Sequence, residues 1–149
     1  MDKIVVAFLK RALNIEKFNE NHGPDGRFIG GPMESTERAL HNPTSTNHLA
    51  AAMAHTAAAR TALMGNDREG VEFHRAVAAE HKRMAVNAKV KEAEQKLHDN
   101  PSTASMRIAG WAHADAATLA SEQGNNTKAR FHTNRAADLL TQSRTAVAV

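Results

Sequence analysis

Nine histidines in 149 residues are the side chains best equipped for chemistry, and their spacing limits what that chemistry is. A metal ion held along one helix needs ligands at i and i+3 or i+4, so that both point at the same place. His48 and His55 are seven apart, as are His74 and His81. Seven residues rise about 10 Å along a helix, too far for two ring nitrogens to share one ion. A pair across two helices remains. Folding the chain back about Asn66 sets His74 opposite Ala58, roughly one turn from His55, and the same relation recurs at His113 and His132. Glu80 beside His81 offers a carboxylate, but the equivalent Asp138 stands beside Leu139. The repeated histidines are therefore expected to hydrogen-bond across a helix pair or edge the core, and no metal ligand is assigned.

Other chemistry lacks its residues. There is no cysteine, no Gly-x-Ser-x-Gly elbow and no glycine-rich loop between a strand and a helix. Paired carboxylates would need a cleft, and an alanine-rich helical bundle leaves little room for one. The expectation is a protein that is not an enzyme, with no catalytic residue and no cofactor. Lys82, Arg83, Lys89, Lys91 and Lys96 could follow phosphates along one helix, but Glu80, Glu92 and Glu94 interleave with them and no aromatic platform accompanies them. Nucleic-acid binding is thus a weak possibility.

The elements that must place these residues are written twice. Ala54-His55-Thr56-Ala57-Ala58-Ala59 leads to Phe73-His74-Arg75-Ala76, and 58 positions later Ala112-His113-Ala114-Asp115-Ala116-Ala117 leads to Phe131-His132-Thr133-Asn134. The entry signals repeat as well, Asn42-Pro43-Thr44 against Asn100-Pro101-Ser102. Each copy reads as a helical hairpin. Asn42-Pro43 opens the first, with Thr44, Ser45 or Thr46 as alternative caps. Helix runs to about Met64, Gly65-Asn66-Asp67 turns it, and a long helix follows from about Arg68 to His98. The second copy spans roughly Pro101–Gln123 and Thr127–Ala146 around the turn Gly124-Asn125-Asn126. Leu49, Met53, Ala59 and Leu63 are among the apolar positions of the first helix of the first hairpin. Met106, Ile108, Trp111, Ala112, Ala116 and Leu119 are expected inward in the second hairpin, and Phe131 is among the apolar positions of the last helix. Stacking the two copies covers apolar surface that either alone would leave wet.

Composition agrees with helices. The apolar share is 42% with only 4% aromatic, and alanine lets helix axes approach closely, whereas sheets favour β-branched and aromatic side chains. The fold class is therefore all-α. The absence of cysteine excludes disulfides and thiolate sites. A formal charge of +3 permits weak attraction to acidic partners without naming one. The longest apolar run, Ile4 to Leu9, falls far short of the roughly 20 residues that span a bilayer, and Lys10-Arg11 interrupts it. No export signal and no membrane partner are expected.

Residues 2–17 carry an amphipathic pattern, with Ile4, Val5, Phe8, Leu9, Ala12 and Leu13 on one stripe and Lys3, Lys10, Arg11 and Lys17 opposite. Such a helix packs on its own domain, docks a partner protein, or lies on a membrane surface. An irregular arm is expected over 18–41, with one helical turn between Ser35 and Leu40. Gly23, Gly26, Gly30 and Gly31 punctuate it, and Pro24-Asp25-Gly26 is turn chemistry. The division is an N-terminal helix at 1–17, the arm at 18–41, and a duplicated domain at 42–149 with repeats 42–99 and 100–149.

Within the arm, Phe18-Asn19-Glu20-Asn21-His22, then Asp25-Gly26-Arg27-Phe28, then Gly30-Gly31 resembles a short motif of tailed-bacteriophage head-assembly proteins. Those proteins usually place an acidic residue directly after the histidine, where this chain has Gly23. The resemblance implies a structural component of a virion, present in many copies or as a homo-oligomer. Its partners would be capsid or other head proteins, and it would reside in the particle and, during assembly, in the host cytoplasm. Phe18, Asn21, His22, Asp25, Arg27, Phe28 and Ile29, with Phe8 and Leu9 of the first helix, are the expected partner-binding residues. The competing expectation is a cytoplasmic helical-repeat adaptor or regulator.

Overall fold

The computed structural model describes residues 31–146. They form five helices and, among the described residues, no strand: α1 Pro32–His41, α2 Ser45–Met64, α3 Arg68–Asp99, α4 Thr103–Glu122 and α5 Asn126–Thr145. Packing runs between chain neighbours, α1 on α2, α2 on α3, α3 on α4 and α4 on α5. The hairpins α2–α3 and α4–α5 thus stack in series along α3. The second half of α3 joins α4 and α5 in a shared core of Ala93, Ala109, Ala112 and Leu139, flanked by Val90 and Leu97. The amphipathic helix expected at 2–17 and the arm at 18–30 lie outside the described residues.

Equivalent contacts recur 58 positions apart. Thr44 and Ser102 cap α2 and α4, their hydroxyls accepting from the N–H of Asn47 and Ser105. The N–H groups of Asn42 and Asn100 donate to Arg38 O and Lys96 O and close the preceding helix. The Asn-Pro pair therefore ends one helix instead of starting the next, because proline disfavours helical geometry in the residue before it. This places the helix starts two residues later than the prolines imply. Asn66 at φ 57° and Gly124 at φ 70° make the hairpin turns, in the left-handed region that these residue types tolerate best. The following Asp67 and Asn125 cap α3 and α5.

Two expectations are corrected. Residues 32–41, assigned to the irregular arm with a single turn, are a ten-residue helix. Pro32 occupies its first position, Glu34 sits in its first turn, and Arg38 pairs with Glu34 one turn on. Thr36 and Ala39 are buried. The second correction concerns which side faces in. Leu49, Met53 and Leu63 are 50%, 66% and 59% exposed, and Ile108, Trp111 and Phe131 also face solvent. The buried side of α2 is His48, Ala51, Ala52, His55 and Ala59. Close helix contact demands small residues, so alanines take the seam and the larger apolar side chains are displaced outward.

Gly110 shows how close that seam is. A Cβ there would lie 2.8 Å from Leu140 Cγ and 2.9 Å from its Cδ2. The equivalent positions in the first hairpin are Ala52 and Lys82. Gly110→Ala is expected to destabilise by about 1–3 kcal/mol through overpacking. Adding Leu140→Ala removes the clash, so the double variant should lose less than the sum of the singles in urea denaturation. Strict additivity would show that Leu140 does not press on this glycine.

Candidate functional site

The hairpin turns bring the predicted histidine pairs together. His55 Nδ1 lies 2.9 Å from His74 Nδ1, and His113 Nδ1 lies 2.7 Å from His132 Nδ1. Each pair is backed by a phenylalanine edge, Phe73 against His55 and Phe131 against His113, with ring centroids 6.3 Å apart in both. Around these matched pairs the two hairpins differ.

In the first, Thr36 of α1 reaches across α2 and α3. Its Oγ1 is 2.9 Å from His55 Nε2 and 3.2 Å from His81 Nε2, and His81 Nδ1 is 3.2 Å from His48 Nδ1. Four imidazoles and one hydroxyl thus form a continuous chain, His74–His55–Thr36–His81–His48, buried except at the half-buried His74 end. Neutral imidazole carries one N–H and one acceptor nitrogen. With Thr36 donating to one ring and accepting from the other, all four contacts are satisfied only if every donor points the same way along the chain. The network is therefore neutral and polarised along its length, and His55 also reaches the Pro32 carbonyl. Burial is the largest cause holding the pKa of His55 and His81 down to about 4. Neighbouring rings add to it, His74 and His81 for His55, and His48 for His81. His48 and His74 are also lowered by burial, opposed by Glu80 and Glu92 for the former and by Asp67 for the latter.

In the second hairpin Glu94 of α3 stands where Thr36 stands in the first, 58 positions on. Its Oε1 is 2.8 Å from His113 Nε2, and its carboxylate receives both Nε and Nη2 of Arg135 at 3.0 and 3.1 Å. The Arg135 hydrogen bond, followed by that of His113 and opposed by burial, depresses the Glu94 pKa. His48 and His81 are replaced by Met106 and Leu139. One site is thus a neutral histidine chain and the other a charged His–Glu–Arg cluster on the same backbone plan. Among the described residues no group of three His, Cys, Asp or Glu side chains is placed to hold a metal ion.

The surface has its own pattern. Leu49, Met53, Thr56, Arg60 and Leu63 follow one another at spacings of four and three along α2, a stripe on one side of the helix. Thr56, Arg60 and Leu63 border a groove of about 280 Å³ whose other wall is Arg75, Ala79 and Lys82 of α3. On the equivalent face of the second hairpin Arg107 stacks 5.2 Å over Trp111, beside a groove of about 400 Å³ that Leu140 and Arg144 also line. The lysine stripe expected along α3 is broken up: Arg83 pairs with Glu80, and Lys89 with Asp115 of α4.

The residues expected to bind a partner, Phe8, Leu9, Phe18, Asn21, His22, Asp25, Arg27, Phe28 and Ile29, lie outside the described residues. Thr36, Glu94 and Arg135 are the site residues that sequence reasoning missed. Thr36 and Glu94 are 58 apart, but their side chains share no chemistry that would mark them as counterparts. Against protein-family models, curated proteins and solved structures, the chain finds no match.

Proposed function

We propose that this chain is a non-enzymatic structural component of a tailed-phage virion, a helical module that joins head or capsid proteins through its helix surfaces and the segment before α1. The observation that carries the interaction role is the outward apolar stripe of α2. All its leucines and methionines, Leu49, Met53, Leu63 and Met64, face solvent, while its buried side is alanine and histidine. Leu49 and Met53, one turn apart, and Leu63 beyond Arg60 give this face exposed apolar side chains suited to a contact. The short motif of residues 18–31, similar to head-assembly proteins, supports the virion as the setting. The buried histidines serve the fold in this reading, since each presents at least one ring nitrogen to another ring, to Thr36 or to Glu94.

The test is co-sedimentation with assembled phage heads, together with the identity of the flanking genes, which should include portal, protease and capsid genes. The full chain should pellet with heads, and removing residues 1–30 should reduce that by about tenfold or more, the loss of one apolar anchor's worth of binding. A chain that stays in the supernatant with intact heads, or flanking genes unrelated to particle assembly, would end the virion reading.

A further inference from the structure

We propose that the groove between α2 and α3 seats an acidic amphipathic helix contributed by a partner protein. The inference deepens the reading of the chain as an interaction module and names the chemistry of what it binds. Two features of the groove fix the occupant's shape. Its α2 wall, Thr56, Arg60 and Leu63, repeats at four and three and continues the stripe of Leu49 and Met53 along the helix. Its α3 wall, Arg75, Ala79 and Lys82, repeats at four and three. Two antiparallel walls with that spacing form the holes into which a third helix sets its knobs every three to four residues. The floor is the side chains of Ala59 and Ala78, small enough for a close approach.

Charge fixes the sign of the occupant. Arg60, Arg75 and Lys82 reach into the groove from both walls, all exposed and with no ion pair among the described residues. α2 has no acidic residue along its length. On α3, Glu80 is engaged by Arg83, and Glu72 lies about one turn before Arg75, outside the groove lining. The second hairpin puts Thr118, Thr133 and Leu140 at the positions of the three cations, and its own arginines, Arg107 and Arg144, line a different stretch of the equivalent face. A second copy of the same groove would set cations against cations. A phosphate backbone would meet the cations but leave Leu49, Met53 and Leu63 wet. A helix with an apolar stripe between acidic edges satisfies both halves of the groove.

The test uses the full chain and two labelled helical peptides of about three heptads, leucine at a and d in both, with glutamate at e and g in one and lysine in the other. Fluorescence anisotropy should show the glutamate peptide binding at least about tenfold more tightly than the lysine peptide. The triple variant Arg60→Ala/Arg75→Ala/Lys82→Ala should weaken the glutamate peptide by about tenfold, three partly exposed ion pairs' worth. All three side chains are exposed, so the variant's thermal melt should match the parent and fold loss is excluded as a cause. Equal affinity for both peptides, an unaffected triple variant, or displacement of the glutamate peptide by stoichiometric duplex DNA would each overturn the proposal. Head co-sedimentation is scored separately. A chain that pellets with heads but ignores the peptides keeps the virion reading and loses this groove, and the converse keeps the groove without the virion.

Discussion

Between pH 6.5 and pH 4 the protein should lose on the order of 5 kcal/mol of folding stability, enough to unfold many domains of this size. The expectation follows from His55 and His81, both held at about 4 against an ordinary value of 6.5 and both essentially inaccessible to solvent. A depression of that size corresponds to about 3 kcal/mol for each ring. The rings stack with centroids 6.0 Å apart and share Thr36, so their contributions are coupled and the total falls short of the sum. The sign is set by the unfolded chain, whose histidines take up protons at 6.5 while the folded rings stay neutral. Stability is complete above pH 6.5, falls as pH drops, and levels off once the folded rings themselves protonate near 4. His48 and His74 are lowered too and steepen the slope, while Glu80, Glu92 and Asp67 moderate it. Urea denaturation followed by circular dichroism at stepped pH should give an uptake of more than one proton on unfolding. The second hairpin suggests the control, because Met106 and Leu139 occupy the positions of His48 and His81. The variant His48→Met/His81→Leu should flatten the curve. A parent protein equally stable at pH 6.5 and 4.5 would mean that the rings take up protons without opening the core.

The helix ends and the His55–His74 and His113–His132 encounters were legible because they rest on rare local signals. Asn-Pro, the turn residues Asn66 and Gly124, and the Phe-His pairs each fix geometry within a few residues, and their 58-residue spacing repeats the geometry at a distance. Which face of α2 points inward was not legible. Hydropathy favours Leu49, Met53 and Leu63 inside, and the fold exposes them, while His48 and His55, expected to hydrogen-bond across the pair or edge the core, are buried. The deciding quantity is helix separation, which favours alanine at the seam and lets a histidine enter where another ring or hydroxyl receives its nitrogen. α1 was hidden because its counterpart, residues 90–99, is the continuous end of α3, and the two segments carry different side chains at equivalent positions. The contact that distinguishes the two sites, Thr36 in one and Glu94 in the other, is carried by those segments.

Thr36→Val should destabilise the protein by about 2–5 kcal/mol at neutral pH, although valine matches threonine in shape. Thr36 is buried, and its hydroxyl is the partner of both His55 Nε2 and His81 Nε2. Leaving one buried polar atom unsatisfied costs about 1–3 kcal/mol, and this substitution removes the hydroxyl from two rings, of which His55 keeps the Pro32 carbonyl. It also cuts the five-membered chain at its centre, leaving His74–His55 and His81–His48 as separate pairs. Thr36→Ser keeps the hydroxyl and removes one methyl group, so it should cost only about 1 kcal/mol. The difference between the two variants isolates the hydrogen bonds from the packing of α1, which both retain through Ala39. Equal urea midpoints for Val and Ser would show that the two rings find other partners and that α1 is held by packing alone. A much larger loss for Val, with near-parental stability for Ser, would establish that a single hydroxyl from α1 ties α2 to α3. It would also explain why the equivalent segment of α3 carries Glu94: each hairpin receives a polar side chain from the helix before it to satisfy histidines that the alanine seam has buried.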